Sequence, residues 1–134
     1  MTASIIYTGN LRCESIHVQS NSIIETDAPT DNKGKGEKFS PTDLLTVSLA
    51  TCILTTMGIK ASEMGVDISS AKADVTKHMF SEPRRIGKID IHIQLPSNQI
   101  SEKEKTILER VGNACPVKNS LHPELLISTK YTWI

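Results

Sequence analysis

Apolar and polar positions divide the chain into short segments of changing period. Residues 4–11 are apolar and β-favouring, and predict a first strand. Residues 15–19 (SIHVQ) and 23–27 (IIETD) flank Ser20-Asn21-Ser22, whose turn chemistry predicts a hairpin. Residues 28–39, APTDNKGKGEKF, are polar and glycine-bearing and read as a mobile loop. A helix should start at Ser40-Pro41-Thr42-Asp43, with Ser40 as cap, Pro41 at the first helical position and Asp43 as the returning acceptor. It should end near Gly65, after Met64. Residues 66–79 and 86–95 predict two strands joined by Ser81-Glu82-Pro83-Arg84. In the second of these, Ile89, Ile91, Ile93 and Leu95 alternate with Asp90, His92 and Gln94. Ser101 and Glu104 form a capping box opening a helix to about Gly112, apolar along Ile107, Leu108 and Val111. Cys115-Pro116 starts a short extra turn, and Leu125 to Ile134 form a closing strand. Strands, helix, strands, helix, strand spell one α+β domain over residues 1–134, with an antiparallel sheet.

The long helix carries no charged residue from Leu44 to Ile59. Sixteen residues span roughly 24 Å, short of a membrane crossing. A helix uncharged all round must be covered all round. One chain of 134 residues can hardly do this, so a second copy is expected to help.

Charge narrows the function classes. Fifteen basic residues balance fifteen acidic ones, which is no footprint for nucleic acid or an anionic membrane. The opening MTASIIYTGN has neither the basic residues nor the apolar run of a secretion signal. Three cysteines, an odd number, do not suggest a secreted disulfide framework, so a reducing cytoplasm is the expected compartment. Gly34-Lys35-Gly36 matches neither phosphate-binding fingerprint, and no Gly-x-Ser-x-Gly elbow is present. His17, His78, His92 and His122 form no ligand pair and the cysteines have no C-x-x-C spacing, so neither a metal nor another cofactor is implied.

That leaves the thiols. Cys52, mid-helix, reads locally as a small core hydrophobe far from any helix N-terminus. Cys115, followed by Pro116, is placed to be an N-cap, where free N–H groups stabilise a thiolate. By these local arguments Cys115 is the better nucleophile and Cys52 the buried partner, while Cys13 has no supporting context.

The segments PTDLLTVSLATC (41–52) and ACPVKNSL (114–121) resemble the OsmC/Ohr family of thiol-dependent hydroperoxide reductases: Pro41 lies eleven residues before Cys52, and a Cys-Pro opens a late turn. The Y-x-G segment near the N-terminus, Asp27-Ala28-Pro29 and EPRRI (82–86) fit the same family. The resemblance implies antiparallel sheets packed around a long buried central helix in an intertwined homodimer. It makes Cys52 the peroxidatic residue and Cys115 the resolving one, reversing the local ranking. It also implies an arginine from the N-terminal strands that favours the Cys52 thiolate. Arg12 is the residue so placed, with Arg84 and Arg85 behind it; the other reading of Arg12 is an ordinary surface charge. The family's best-characterised peroxidases hold that arginine with a glutamate directly after the proline, where this chain has Thr42 and, one residue on, Asp43. The expected activity is reduction of hydroperoxides, organic ones preferred, with an external thiol or dithiol as reductant and neither nucleic acid nor membrane as partner. The alternative is a non-catalytic dimer holding a small apolar or thiol ligand in an interfacial pocket.

Overall fold

Three strands, a helix, two strands, two helices and a last strand follow one another along the chain. The computed structural model describes residues 1–134, which gather in two units, Met1–Leu45 and Thr46–Ile134.

The first unit is an antiparallel meander of β1 (Ala3–Gly9), β2 (Arg12–His17) and β3 (Ile23–Asp27). Gly9 pairs with Arg12, so β1 and β2 are joined by Asn10-Leu11 alone. Both residues take positive φ, 53° and 63°, the left-handed pair that matches the twist of a tight hairpin. A leucine in that conformation gives no turn signal, which is why the first strand was expected to reach residue 11 and the second to start only at 15. Residues 28–39 follow a bonded path: Thr30–Asn32 form a single 3-10 turn, and the Pro29 carbonyl accepts from the Asn32 and Gly34 amides. Gly34 lies against the Ala28 backbone so closely that a Cβ would overlap it.

Helix α1, Pro41–Met64, opens as its sequence suggests. The Asp43 amide donates to Ser40 Oγ at 3.0 Å, and the Ser40 amide donates to Asp43 Oδ2 at 2.9 Å. It closes at Gly65, φ 70°, with the Val66 amide bonded to the Ala61 carbonyl. By length and composition α1 could cross a membrane. Instead, Leu49, Ala50, Ile53, Met57 and Ala61 form a stripe at helical spacing that lies in the core of the second unit.

The sheet of that unit has the order β4 (Lys72–Phe80), β5 (Arg85–Leu95), β6 (Leu126–Trp133). Residues 66–71 lie outside β4 because Asp67 accepts from the Ser69 amide in a turn. β4 and β5 are antiparallel, but β5 and β6 are parallel, which corrects the expectation of a wholly antiparallel sheet. The reason is the connection: α2 (Glu102–Gly112) and α3 (Pro116–Ser120) intervene, a crossover long enough to bring the chain back to the same end. On β5, Ile89, Ile91, Ile93 and Leu95 are buried against α1 and the buried Leu108 of α2. Each such side chain contributes about 2 kcal/mol relative to exposure. The Ser101–Glu104 capping box of α2 is complete in both directions.

Candidate active site: a buried thiol pair

Cys52 sits in the fourth turn of α1, half-buried and packed on the core. Cys115 is the N-cap of α3, with 0% of its surface exposed. The two thiols lie near enough to interact, and both sulfurs are free. Cys115 Sγ also accepts from the Lys118 amide at 3.5 Å. Burial pushes the Cys115 thiol above its ordinary value; the Lys118 and Val117 amides pull it back, and the neighbouring Cys52 adds to the rise. Desolvation outweighs the N-cap at Cys115, which is the more deeply buried of the two thiols.

What lets the two meet is glycine. At Gly112, a Cβ would lie 3.0 Å from Met57 Cγ and Sδ and 3.1 Å from Ile53 Cγ2. The end of α2 thus rests directly on α1, beside Cys52, and Cys115 follows three residues later. The connector between α2 and α3 is tied from the far side by the Tyr131 hydroxyl, which donates to Asn113 Oδ1 at 3.1 Å. Desolvation, with Glu109 and Cys115 nearby, pushes the Tyr131 phenol up to about 12, so it stays protonated and able to donate. Trp133 Nε1 donates to Glu109 Oε1 at 2.7 Å. None of Gly112, Asn113 and Tyr131 was singled out by sequence.

In the first unit, Arg12 and Asp27 are direct cross-strand partners of β2 and β3. The register sets them as a two-pronged pair, Nε to Oδ1 and Nη2 to Oδ2, each 2.8 Å. Glu37 adds a contact at 3.2 Å. Asp27 is only 3% exposed, and the guanidinium holds its carboxyl below the usual range. The acids on Arg12 are thus Asp27 and Glu37. Asp43 closes the α1 cap, and Thr42 Oγ1 lies 3.1 Å from Ser40 Oγ in the same cap. Arg84 lies in the 81–84 turn. Arg85 donates through Nη1 to the Ser81 and Pro83 carbonyls and lies over the Phe80 ring.

A chain whose central helix carries one thiol and whose Cys-Pro turn sets a second against it is built as a two-cysteine α+β protein. The family model for OsmC-like protein matches residues 34–130. The chain belongs to the OsmC-like family. It is similar to a Psychrobacter arcticus protein whose crystal structure is described as that of a candidate osmotic stress induced and detoxification response protein. That likeness is 45% identity over 98% of this chain and 96% of the other, with a TM-score of 0.93. A Mycoplasma genitalium protein named hydroperoxide reductase is 26% identical over 109 residues, 78% of this chain and 76% of that one. The fold is shared with the organic hydroperoxide resistance protein OhrB of Bacillus subtilis, TM-score 0.65 at 13% identity over 98% of both chains.

Proposed function

We propose that the protein reduces hydroperoxides, organic ones by preference, through Cys52 and Cys115. The observation that carries this reading is the thiol pair itself, two free thiols near enough to interact inside a fold shared with hydroperoxide resistance proteins. Cys52 is the partly open member and takes the peroxide; Cys115 has no exposed surface and resolves. The Cys52 thiolate attacks the outer oxygen of ROOH, the O–O bond breaks, ROH leaves with a proton, and Cys52 becomes a sulfenic acid. Cys115 then attacks the Cys52 sulfur, its proton leaves with the hydroxyl as water, and a disulfide forms. An external dithiol returns two electrons and two protons by exchange, itself becoming a disulfide.

The apolar core that takes in Cys115, with Cys52, Leu54, Val117, Leu121 and Leu125 packed against it, supports an organic substrate. Within the first unit, Arg12 is paired with Asp27, a carboxylate of the kind that Thr42 cannot supply, and it remains the candidate that the resemblance offers for a thiolate-favouring cation. We also assign a cytoplasmic location, where such thiols stay reduced, and a second copy of the chain as partner. Ile5 (61% exposed), Tyr7 (60%) and Ile59 (60%) are among the large apolar side chains that one chain leaves open. Light scattering should give twice the 14.7 kDa chain mass at low micromolar concentration, and a stable monomer would sink that assignment.

The direct test is thiol counting after one equivalent of cumene hydroperoxide without reductant. Rapid loss of two thiols per chain, joined as Cys52–Cys115 in the peptide map, is expected. Unchanged thiols would overturn the reading in favour of a dimer that only binds an apolar or thiol ligand.

A further inference from the structure

The resolving cysteine stands on a connector only two residues long, Asn113-Ala114, between the end of α2 and the cap of α3. Two bonds fasten this region to the last strand. Tyr131 and Trp133 lie two residues apart on β6, and Asn113 and Glu109 lie four apart at the end of α2. Two strand residues rise roughly 6.6 Å and four helical residues about 6 Å, so the bonds fit the two elements without strain. They differ in what they hold. Glu109 is within the helix, which its own backbone bonds already order. Asn113 is the α2 cap, whose amide donates back to Glu109 and Val111, and the chain beyond it leads directly to Cys115.

We propose that Tyr131, acting through Asn113, is a positioning residue for the thiol pair, holding the Cys115 connector so that its sulfur stays against Cys52. The inference rests on the reading of Cys52 and Cys115 as one redox pair, and names the group that regulates its closure. Without the Tyr131 hydroxyl, the connector gains freedom in the dithiol state but not in the disulfide state, where the S–S bond itself holds it. Forming the disulfide then costs more entropy. Tyr131 also packs on the core containing Cys115, close enough for a negative charge there to oppose phenolate formation.

Tyr131→Phe keeps the ring and removes only the hydroxyl. The equilibrium between dithiol and disulfide, titrated with dithiothreitol and read by mass spectrometry of the Cys52–Cys115 peptide, should move toward the dithiol. One lost hydrogen bond implies a shift on the order of fivefold, or about 20 mV less negative. In the peroxide arm, formation of the Cys52 sulfenic acid should keep its rate. Its trapping by dimedone should rise by a similar factor, because resolution is slower. Asn113→Ala should reproduce the shift, and the double variant should add nothing further, since both act through one bond. Trp133→Phe, which cuts the bond that holds only the helix, should leave the equilibrium alone. Equal shifts in Trp133→Phe and Tyr131→Phe would reduce the effect to general loosening and overturn the proposal. So would an unshifted Tyr131→Phe, or a pair that forms no disulfide under the titration. If the wild type ignores peroxide while the titration shifts as described, the proposed substrate fails and the positioning role stands.

Discussion

Replacing Gly112 with alanine sets two effects against each other at one atom. A glycine inside a helix is about 1 kcal/mol worse than alanine, so on an open helix surface the change would stabilise. Here the new methyl would meet Met57 Cγ and Sδ at 3.0 Å and Ile53 Cγ2 at 3.1 Å. Carbon atoms rest at about 3.5–4.0 Å, so three neighbours must each yield by roughly half an ångström. Met57 is ordinarily a pliable side chain, but it and Ile53 have no exposed surface and nowhere open to move. Overpacking of this kind costs about 1–3 kcal/mol, so the net expectation is a loss of about 1 kcal/mol, or roughly 3–5 °C in Tm. Gly112→Val, with two more carbons and a poorer helix former, should lose about 3 kcal/mol. Relief of the clash lifts the end of α2 from α1 and carries Cys115 away from Cys52, so disulfide formation should slow in the same order. Urea denaturation at pH 7 measures the first effect, and stopped-flow oxidation the second. If Gly112→Ala were about 1 kcal/mol more stable with unchanged disulfide formation, the claim that close helix contact brings the thiols together would be wrong.

Three further expectations concern the titrating groups. Cys52→Ser should abolish peroxide consumption, while Cys115→Ser should accumulate sulfenic and then sulfinic acid at Cys52, both seen by mass spectrometry; identical behaviour of the two would refute the division of roles. Asp27 has a folded pKa below its ordinary 3.8, so the stability it lends is complete above that value and lost as pH falls through the depressed one. Asp27→Asn should therefore flatten the acid limb of a urea-midpoint profile between pH 4 and 2, and an unaltered limb would show that the pair with Arg12 is not what holds it up. Cys115 and Tyr131 are shifted the other way, from ordinary values of 9.0 and 10.0, the phenol to about 12. Their contribution is whole below those ordinary values and drains as pH rises through the shifted ones, so stability should fall from about pH 9 upward, less steeply in Cys115→Ser.

Much of this fold was legible because it obeys local rules. The α1 start at Ser40-Pro41-Thr42-Asp43, its stop at Gly65, the Ser101–Glu104 box and the isoleucine alternation of β5 all express short-range chemistry, and each element lies where that chemistry sets it. The misses share a cause as well. The Asn10-Leu11 hairpin uses a leucine where the local signal asks for asparagine or glycine. The parallel pairing of β5 with β6 is a property of the whole connection and leaves no mark on either strand.

The site shows the same division more sharply. The two thiols were put forward by a family resemblance carried on local patterns, the Pro41–Cys52 spacing and the Cys-Pro turn. Beside Cys115 in sequence only the N-cap is visible, and not what covers the residue in space. An N-cap lowers a thiol pKa by a modest, local effect; complete burial raises it by an effect that depends on every element packed above it. Only the assembled core places Leu49, Ile53 and Leu108 at zero exposure alongside Cys115. The same limit hid Asp27, whose bond to Arg12 spans fifteen residues and follows from a β2–β3 register with no motif of its own. In a two-thiol protein the division is useful. A buried thiol with a raised pKa, held near a partly open one, stays largely protonated and finds no electrophile until its partner has been oxidised. Oxidation of Cys52 supplies that electrophile in place, so on the proposed mechanism the disulfide closes without any large movement of α1 or α3.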